Sequence, residues 1–405
     1  MKWEKAKFGS LFSTPTRNGV YKNKEAHGEG VKIVNMGEIF GYDFIGNQEM
    51  QRIMMSENEM KVSGLQENDL LFARRSLVES GAGKASIVLG LSEPTTFESS
   101  IIRVRLNSEN CFPLFYFYWL RSHAGRTAIG ALVTGTNVKG IRGSALKDID
   151  VDYPDIDTQR RIADVLMTYD NLIENNQKQI KLLEEAAQRL YKEWFVDMRF
   201  PGHENVKIVD GVPEGWKKGT IISFFTTVLG GTPSREKKEY WGGNIPWINS
   251  GEVNKLRIIK ESEFISELGL KKSATKLMPV HTTVLAITGA TLGQVSYTEI
   301  ETCANQSVVG IYDQQKVYSE YIYLAVSNEI KSIISKATGG AQQHINKDIV
   351  NNFEIILPSK DVNDQFKTVI SPLFTKITEC YFSIEKLTEA RDRLLPKLMS
   401  GELEV

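Results

Sequence analysis

The longest regular pattern of apolar and polar positions runs from Asp157 to Phe195, a stretch with neither Gly nor Pro. Apolar side chains recur there every seven residues, at Leu166, Ile173, Ile180, Ala187 and Trp194. Tyr169, Asn176, Leu183 and Leu190 fill a second position of the same heptad. The pattern predicts one helix about 60 Å long at ~1.5 Å per residue, with a stripe that needs a partner. Asn176, polar within that stripe, is expected to fix helix register at some cost in stability. Trp194 and Phe195 read either as packing at the helix end or as an anchor for a partner protein.

The partner stripe lies near the other end of the chain. Ile370, Ile377, Ile384, Arg391 and Leu398 form one heptad position, and Leu373, Cys380, Leu387 and Leu394 the other. Pro372 and Pro396 each remove a backbone donor and crowd the preceding turn, so a kink or stop is expected near Leu395.

Between the helices the period shortens to that of strands, and the chain repeats itself. Trp3 corresponds to Trp216, and Thr14-Pro15 to Thr232-Pro233. Val31–Ile39 matches Ile245–Val253 with Asn, Gly and Glu at identical spacing. Asp69–Val88 and Thr282–Thr298 each read as a strand, a Gly-containing turn and a second strand, that is, a hairpin. Ser100-Ile101-Ile102 matches Ser307-Val308-Val309, and the aromatic runs Phe115–Leu120 and Tyr321–Val326 predict a buried helix in each half. An offset of 204 carries Val133–Ile141 onto Ala337–Ile345 and Pro154 onto Pro358. Beyond each proline, Gln159 matches Gln365, and Ile180, Leu183, Ala186, Arg189 and Leu190 match Ile384, Leu387, Ala390, Arg393 and Leu394.

The plan is domain, helix, domain, helix, with expected boundaries 1–155, 156–199, 200–358 and 359–405. The Gly- and Pro-rich stretch from Phe200 to Trp216 leads into the second domain. The fold class expected is α+β: two mixed domains in tandem, each followed by a long helix. If the helices pack as an antiparallel coiled coil, an approximate two-fold axis relates the two halves. Duplex DNA has the same local symmetry, and two-fold readers address half-sites about 34–36 Å apart. The halves differ outside the matches, which implies an asymmetric, two-part target.

Several of these stretches together resemble the specificity (S) subunit of a Type I restriction-modification system. They are the helix after each proline, VPEGW (Val212–Trp216), GGTPSREKKEYWGGNIPWINSGEV (Gly230–Val253) and TGGAQQHINKDI (Thr338–Ile349). The resemblance covers essentially the whole chain and rests on the combination, present twice in order. It implies an α/β target-recognition domain at each end of a two-helix spacer, each reading one half of an interrupted double-stranded DNA sequence. It further implies two methyltransferase (M) subunits on the helices, carrying S-adenosylmethionine, and restriction (R) subunits using ATP and Mg. No catalysis and no cofactor are implied for this chain.

Composition adjusts the picture in places. A net charge of −1 advertises no nucleic-acid affinity for the chain as a whole. Residues 1–155 hold 19 Lys and Arg against 18 acids, and residues 200–358 hold 16 against 16, so any phosphate-binding face must arise by local sorting. No run of about 18 apolar residues and no apolar leader occurs, so a cytoplasmic protein without a membrane span is expected. Cys111, Cys303 and Cys380 are odd in number and far apart, which predicts buried reduced thiols.

Catalytic motifs fail on inspection. Around Gly81-Ala82-Gly83-Lys84-Ala85, the Gly required five residues before Gly83 is replaced by Val78, and Ala85 replaces the Mg-binding hydroxyl of a phosphate loop. Asn244-Ile245-Pro246-Trp247 matches an amino-methyltransferase signature by residue type only, and reads as a turn into a strand. His27, His123, His203, His281 and His344 show no metal-ligand spacing.

Contacts to DNA can be nominated by donor chemistry, because Arg or Lys suits guanine, Asn or Gln suits adenine, and phosphates accept almost any donor. The first domain offers Arg74, Arg75 and Lys84 on the hairpin and Thr136, Asn137, Lys139 and Arg142 in the Gly-rich loop. The second offers Gln294 in its hairpin turn, then Gln342, Gln343, His344, Asn346 and Lys347. Each reads more readily as a solvated loop residue or a phosphate contact without sequence information, and the loops are stronger candidates as a set. From another class, the chain also reads as a coiled-coil adaptor joining two modules that do not bind DNA.

Overall fold

The computed structural model describes residues 3–336 and 344–405. Strands β1 (Phe12–Asn18), β2 (Phe44–Ile45), β3 (Leu70–Ala73), β4 (Arg75–Ser76), β5 (Ala85–Val88) and β6 (Ile101–Leu106) precede helix α1 (Pro113–Arg121) and strand β7 (Lys139–Gly140). Five of them form one sheet in the order β1-β6-β3-β5-β2, antiparallel except where β2 runs beside β5. Strands β3 and β5 are buried at every position, which explains their unbroken apolar character. The predicted hairpin is the antiparallel β3–β5 pair.

Helix α2 (Ile156–Tyr191) follows and ends in a π-helical turn, Lys192–Val196. The second half then repeats the first. Strands β8 (Thr226–Leu229), β9 (Arg257–Ile258), β10 (Thr283–Ala286), β11 (Val295–Thr298) and β12 (Val308–Tyr312) form a sheet in the order β8-β12-β10-β11-β9. Its one parallel pair, β9 with β11, occupies the same place as β2 with β5. Each half adds a three-stranded sheet, centred on His27–Val34 in one and Trp241–Ile248 in the other. Helices α3 (Ser319–Ile334) and α4 (Lys360–Met399) complete the chain.

Two compact units result: Met1–Leu172 with Leu387–Val405, and Ile173–Lys386. Both long helices are divided between them, so each core takes residues from both. In the first unit, α1 carries eight buried residues, Pro113 to Leu120, against Phe72, Ile87, Ile102 and Val104 of the sheet. Pro113 stands at the first turn, where its missing N–H has no intrahelical partner to lose. Ile162, Ala163 and Leu166 of α2 join that core, together with Leu398 and Met399 of α4. In the second unit, Tyr321 to Val326 of α3 pack with Ala187 and Tyr191 of α2 and with Phe366, Ile370 and Phe374 of α4. Within each unit one end of α2 therefore meets the opposite end of α4, which is antiparallel packing. Ile180, Ile377 and Cys380 bury each other in the second unit, with Leu183 and Ile384 alongside.

Three expectations need correction. The stop near Leu395 does not occur, and α4 runs through Pro372 and Pro396 to Met399. Burying Leu398 and Met399 in the first core recovers free energy comparable to the ~3 kcal/mol that an interior proline costs. The second heptad line of α2 is also displaced by one residue at three of its four positions, the exception being Asn176, beside which Gln177 is exposed. Leu166, Ile173, Ile180, Ala187 and Trp194 are buried as expected, but Tyr169, Asn176, Leu183 and Leu190 are only half-buried. Asp170, Glu184 and Tyr191 lie deeper, because both acids meet partners from outside the helix. Likewise Phe374 of α4 is buried where Leu373 is half-buried, while Leu387 and Leu394 lie half-buried in the first unit.

Trp194 and Phe195 pack among aromatic rings at the end of α2. Phe195 meets Phe366 at 4.7 Å, Tyr321 at 5.1 Å and Trp216 at 5.8 Å between ring centroids, and Trp194 lies 5.4 Å from Phe366. No helix among the described residues is long and apolar enough to cross a membrane.

Candidate nucleic-acid interface

The hairpin and the Gly-rich loop nominated separately in the first half are joined in the structure. Strand β4 pairs antiparallel with β7, setting Ser76 opposite Lys139 and Arg75 opposite Gly140. The Ile141 N–H donates to the Arg74 carbonyl at 3.0 Å, and Gly140 bridges back to Thr134. A concavity of about 380 Å³ opens on this ladder, lined by Arg74, Arg75, Lys139 and Arg142 with Thr134 and Gly135. Four cations from segments some sixty residues apart thus face one hollow, which is the local sorting that a nearly neutral chain requires. Arg75 and Arg142 are exposed, Lys139 is half-buried, and none of the three side chains has a hydrogen-bond or ion-pair partner among the described residues. Arg74 is half-buried and reaches the Ser99 carbonyl at 3.4 Å. Thr136 and Asn137 are exposed at the tip of the loop.

Lys84 differs from the rest. Its Nζ donates to the Phe40 carbonyl at 2.8 Å and lies 4.0 Å from Asp43, and burial holds its pKa below the usual lysine range. It secures the back of the hairpin instead of adding charge to the hollow. Gly83 beside it adopts φ +70°, and a Cβ there would stand 2.3 Å from Ile129 Cγ2. The same device recurs in the second unit: Gly293 has φ +84°, and its Cβ would meet Ile334 Cδ1 at 2.1 Å. In both units the hairpin turn presses on a helix so closely that only glycine fits.

The second unit repeats the ladder in minimal form. Thr288 bridges antiparallel to His344, and the Ile345 N–H donates to the Ile287 carbonyl at 3.0 Å, the counterpart of Ile141 on Arg74. His344 is exposed and Lys347 half-buried. Asn346 caps the short helix Lys347–Asn351, its Oδ1 accepting from the Ile349 N–H at 2.8 Å, so that oxygen is already engaged. Gln294 is half-buried in the hairpin turn, and its Oε1 has no hydrogen-bond partner among the described residues. Gln342 and Gln343 lie outside the described residues. On the ladder this unit sets Thr288 against His344 where the first sets Arg75 against Gly140, and Gln294 stands in the hairpin turn as the counterpart of Lys84.

Other cations are held in the framework. Arg235 lies 3.5 Å from the Trp241 ring centroid and makes two 2.7 Å contacts with Glu263, which raise its pKa. Arg257 is fully buried over Phe374, Tyr323 and Tyr297, donates to the Leu256 carbonyl at 2.9 Å, and lies 3.6 Å from Glu184 and 3.8 Å from Glu299. Tyr323 donates to Glu184 at 2.8 Å, and burial raises its phenol pKa. The heptad reading missed Asp170 and Glu184, since an acid in a coiled-coil seam reads as solvent-facing until its partner is known. No cluster of three potential metal ligands occurs among the described residues.

Comparison with known proteins fits this duplicated arrangement. The chain is 24% identical over 400 residues to the Type I restriction enzyme MjaIX specificity subunit of Methanocaldococcus jannaschii, covering 97% of this chain and 90% of that protein. It is 24% identical over 439 residues to the Type I restriction enzyme HindI specificity subunit of Haemophilus influenzae, covering 92% of this chain and 94% of that protein. A crystal structure of a Type-I restriction-modification system S subunit from M. genitalium shares the fold, with a TM-score of 0.62 at 18% identity over 98% of this chain and 96% of that one. The family model described as Type I restriction modification DNA specificity domain matches residues 1–185 and 213–386, one match on each repeat. With both repeats matched, the chain belongs to the Type I restriction modification DNA specificity domain family.

Proposed function

We propose that this chain is the specificity subunit of a Type I restriction-modification system, reading a bipartite, asymmetric double-stranded DNA target without catalysing a reaction itself. The supporting observation is family membership over both repeats, each of which builds the same sheet and the same hairpin-to-loop ladder. Recognition domains at 1–155 and 200–358 each take one half-site. The helices at 156–199 and 359–405 set the spacing between half-sites and offer their outer faces to two methyltransferase subunits. S-adenosylmethionine belongs to those subunits, and ATP and Mg to the restriction subunits that complete the assembly in the cytoplasm.

The chemistry of the two ladders supports different half-sites. Arg74, Arg75, Lys139 and Arg142 suit guanine edges and phosphates, whereas Gln294, Gln342, Gln343, His344, Asn346 and Lys347 weight the second unit towards adenine. Exposed Thr136 and Asn137 would supply further contacts to the backbone or a base edge. Co-purifying the chain with its methyltransferase subunits and mapping modified adenines tests the proposal. The expected result is one interrupted motif. Random or absent methylation with an intact partner overturns it.

A further inference from the structure

Beyond the cations, the first unit exposes an apolar patch that its own fold does not use. Leu77 is 84% exposed, Val78 60%, Val138 49% and Phe40 43%. With Met36 they line a concavity of about 490 Å³ whose remaining wall includes Arg75. Its position on the ladder is specific. Ser76 pairs with Lys139, so Leu77 leaves one strand and Val138 enters the other at the same end of that pair. The cationic hollow adjoins it, sharing both Arg75 and Val138 as lining residues.

Resting on the DNA reading given above, we infer that Leu77, Val78 and Val138 form a thymine-reading surface, packing against the 5-methyl group of a base in the major groove. That methyl is the one apolar feature the groove presents, and it is where an aliphatic side chain discriminates among base pairs. Continuity with the cationic hollow selects DNA as the occupant: a duplex held by Arg75 and Lys139 brings its base edges onto Leu77 and Val138. In the second unit the corresponding stretch, Thr288-Gly289-Ala290-Thr291, has no side chain larger than threonine. Thymine sensitivity of this kind is therefore confined to one half-site.

The test uses the full chain assembled with its methyltransferase subunits on duplexes carrying the mapped target. Each thymine is replaced in turn by deoxyuridine, which lacks only the methyl group. Affinity is expected to fall about fourfold at one or more thymines, all in one half-site, as for loss of one buried methyl. Leu77→Ser changes a side chain that makes little contact with the fold, and it should abolish that loss while leaving recognition of the other half-site intact. Tolerance of deoxyuridine at every thymine overturns the inference, as does a loss that persists in both Leu77→Ser and Val138→Ser. If Leu77→Ser instead weakens capture of the methyltransferase subunits with deoxyuridine still tolerated, the patch is a protein-docking face and the inference fails. Failure of the unaltered assembly to distinguish target from scrambled duplex overturns the DNA reading as well, which separates the two.

Discussion

Asp170 Oδ1 lies 2.5 Å from Nη1 of Arg391, joining the first half of α2 to the last quarter of α4 inside the first unit. Tyr118 of α1 donates to the other carboxylate oxygen at 2.6 Å, so the recognition domain is tied into the same cluster. The Arg391 guanidinium is held above its usual pKa by Asp170, against the opposing effect of its own burial. Both side chains are largely buried, at 5% and 14% exposure, so neither ion can return to water when the other is removed.

Asp170→Ala is expected to cost about 2–3 kcal/mol, because it strips the buried Nη1 end of Arg391 of its partner and leaves only the exposed Asp392 as counter-charge. Replacing the pair together, Asp170→Leu with Arg391→Met, should recover most of that loss. Thermal unfolding of the two variants against the unaltered chain measures it. Equal midpoints for Asp170→Ala and the unaltered chain would show that the pair carries no weight.

Salt dependence separates cations that face the hollow from those that support it. Arg75→Ala and Lys139→Ala should each lower the slope of log affinity against log salt by about one. Lys84→Ala should leave the slope unchanged, since its amine is engaged with the Phe40 carbonyl and Asp43. Fluorescence titrations of the assembled complex on duplex DNA between about 50 and 200 mM salt give the slopes. A flat response for the unaltered assembly supports the adaptor reading in place of DNA recognition.

A seven-residue insertion in each long helix, between Leu172 and Ile173 and between Lys386 and Leu387, preserves the heptad and adds about 10 Å. The methylated half-sites should then stand roughly three base pairs further apart with their bases unchanged. Sequencing of modified adenines reads both quantities. Altered bases at constant spacing would falsify the spacer role.

The three thiols should be inert in the native chain. Burial pushes the Cys111 thiol up to about 12 and Cys303 to about 11, and raises Cys380. At pH 8 the first two are therefore thiolate in only about one molecule in ten thousand and one in a thousand, respectively. Iodoacetamide should leave the folded protein unmodified and label all three cysteines in denaturant. Mass spectrometry across the unfolding transition decides it, and labelling ahead of the transition contradicts the burial.

Much of this organisation was legible because it is periodic. The heptad line Leu166 to Trp194, the aromatic helices and the hairpin strands are each specified by local spacing, and duplication allowed every element to be read twice. Asp170 and Glu184 were not legible. An acidic residue is placed correctly in a buried seam only when Arg391 and Tyr118, or Arg257 and Tyr323, are known to stand opposite it. The continuation of α4 past Pro396 likewise depends on the core waiting for Leu398 and Met399.

By itself the sequence determined two mixed domains, two long helices and their order, because hydrophobic period and repeat are properties of neighbouring residues. It also nominated Arg75 and Lys139, but as members of separate loops. Only the tertiary structure decided that they share one ladder, that Lys84 lies behind it and that Leu77 and Val138 stand uncovered at its edge. Those outcomes are set by strand pairing between segments about sixty residues apart, and no local pattern encodes such a register.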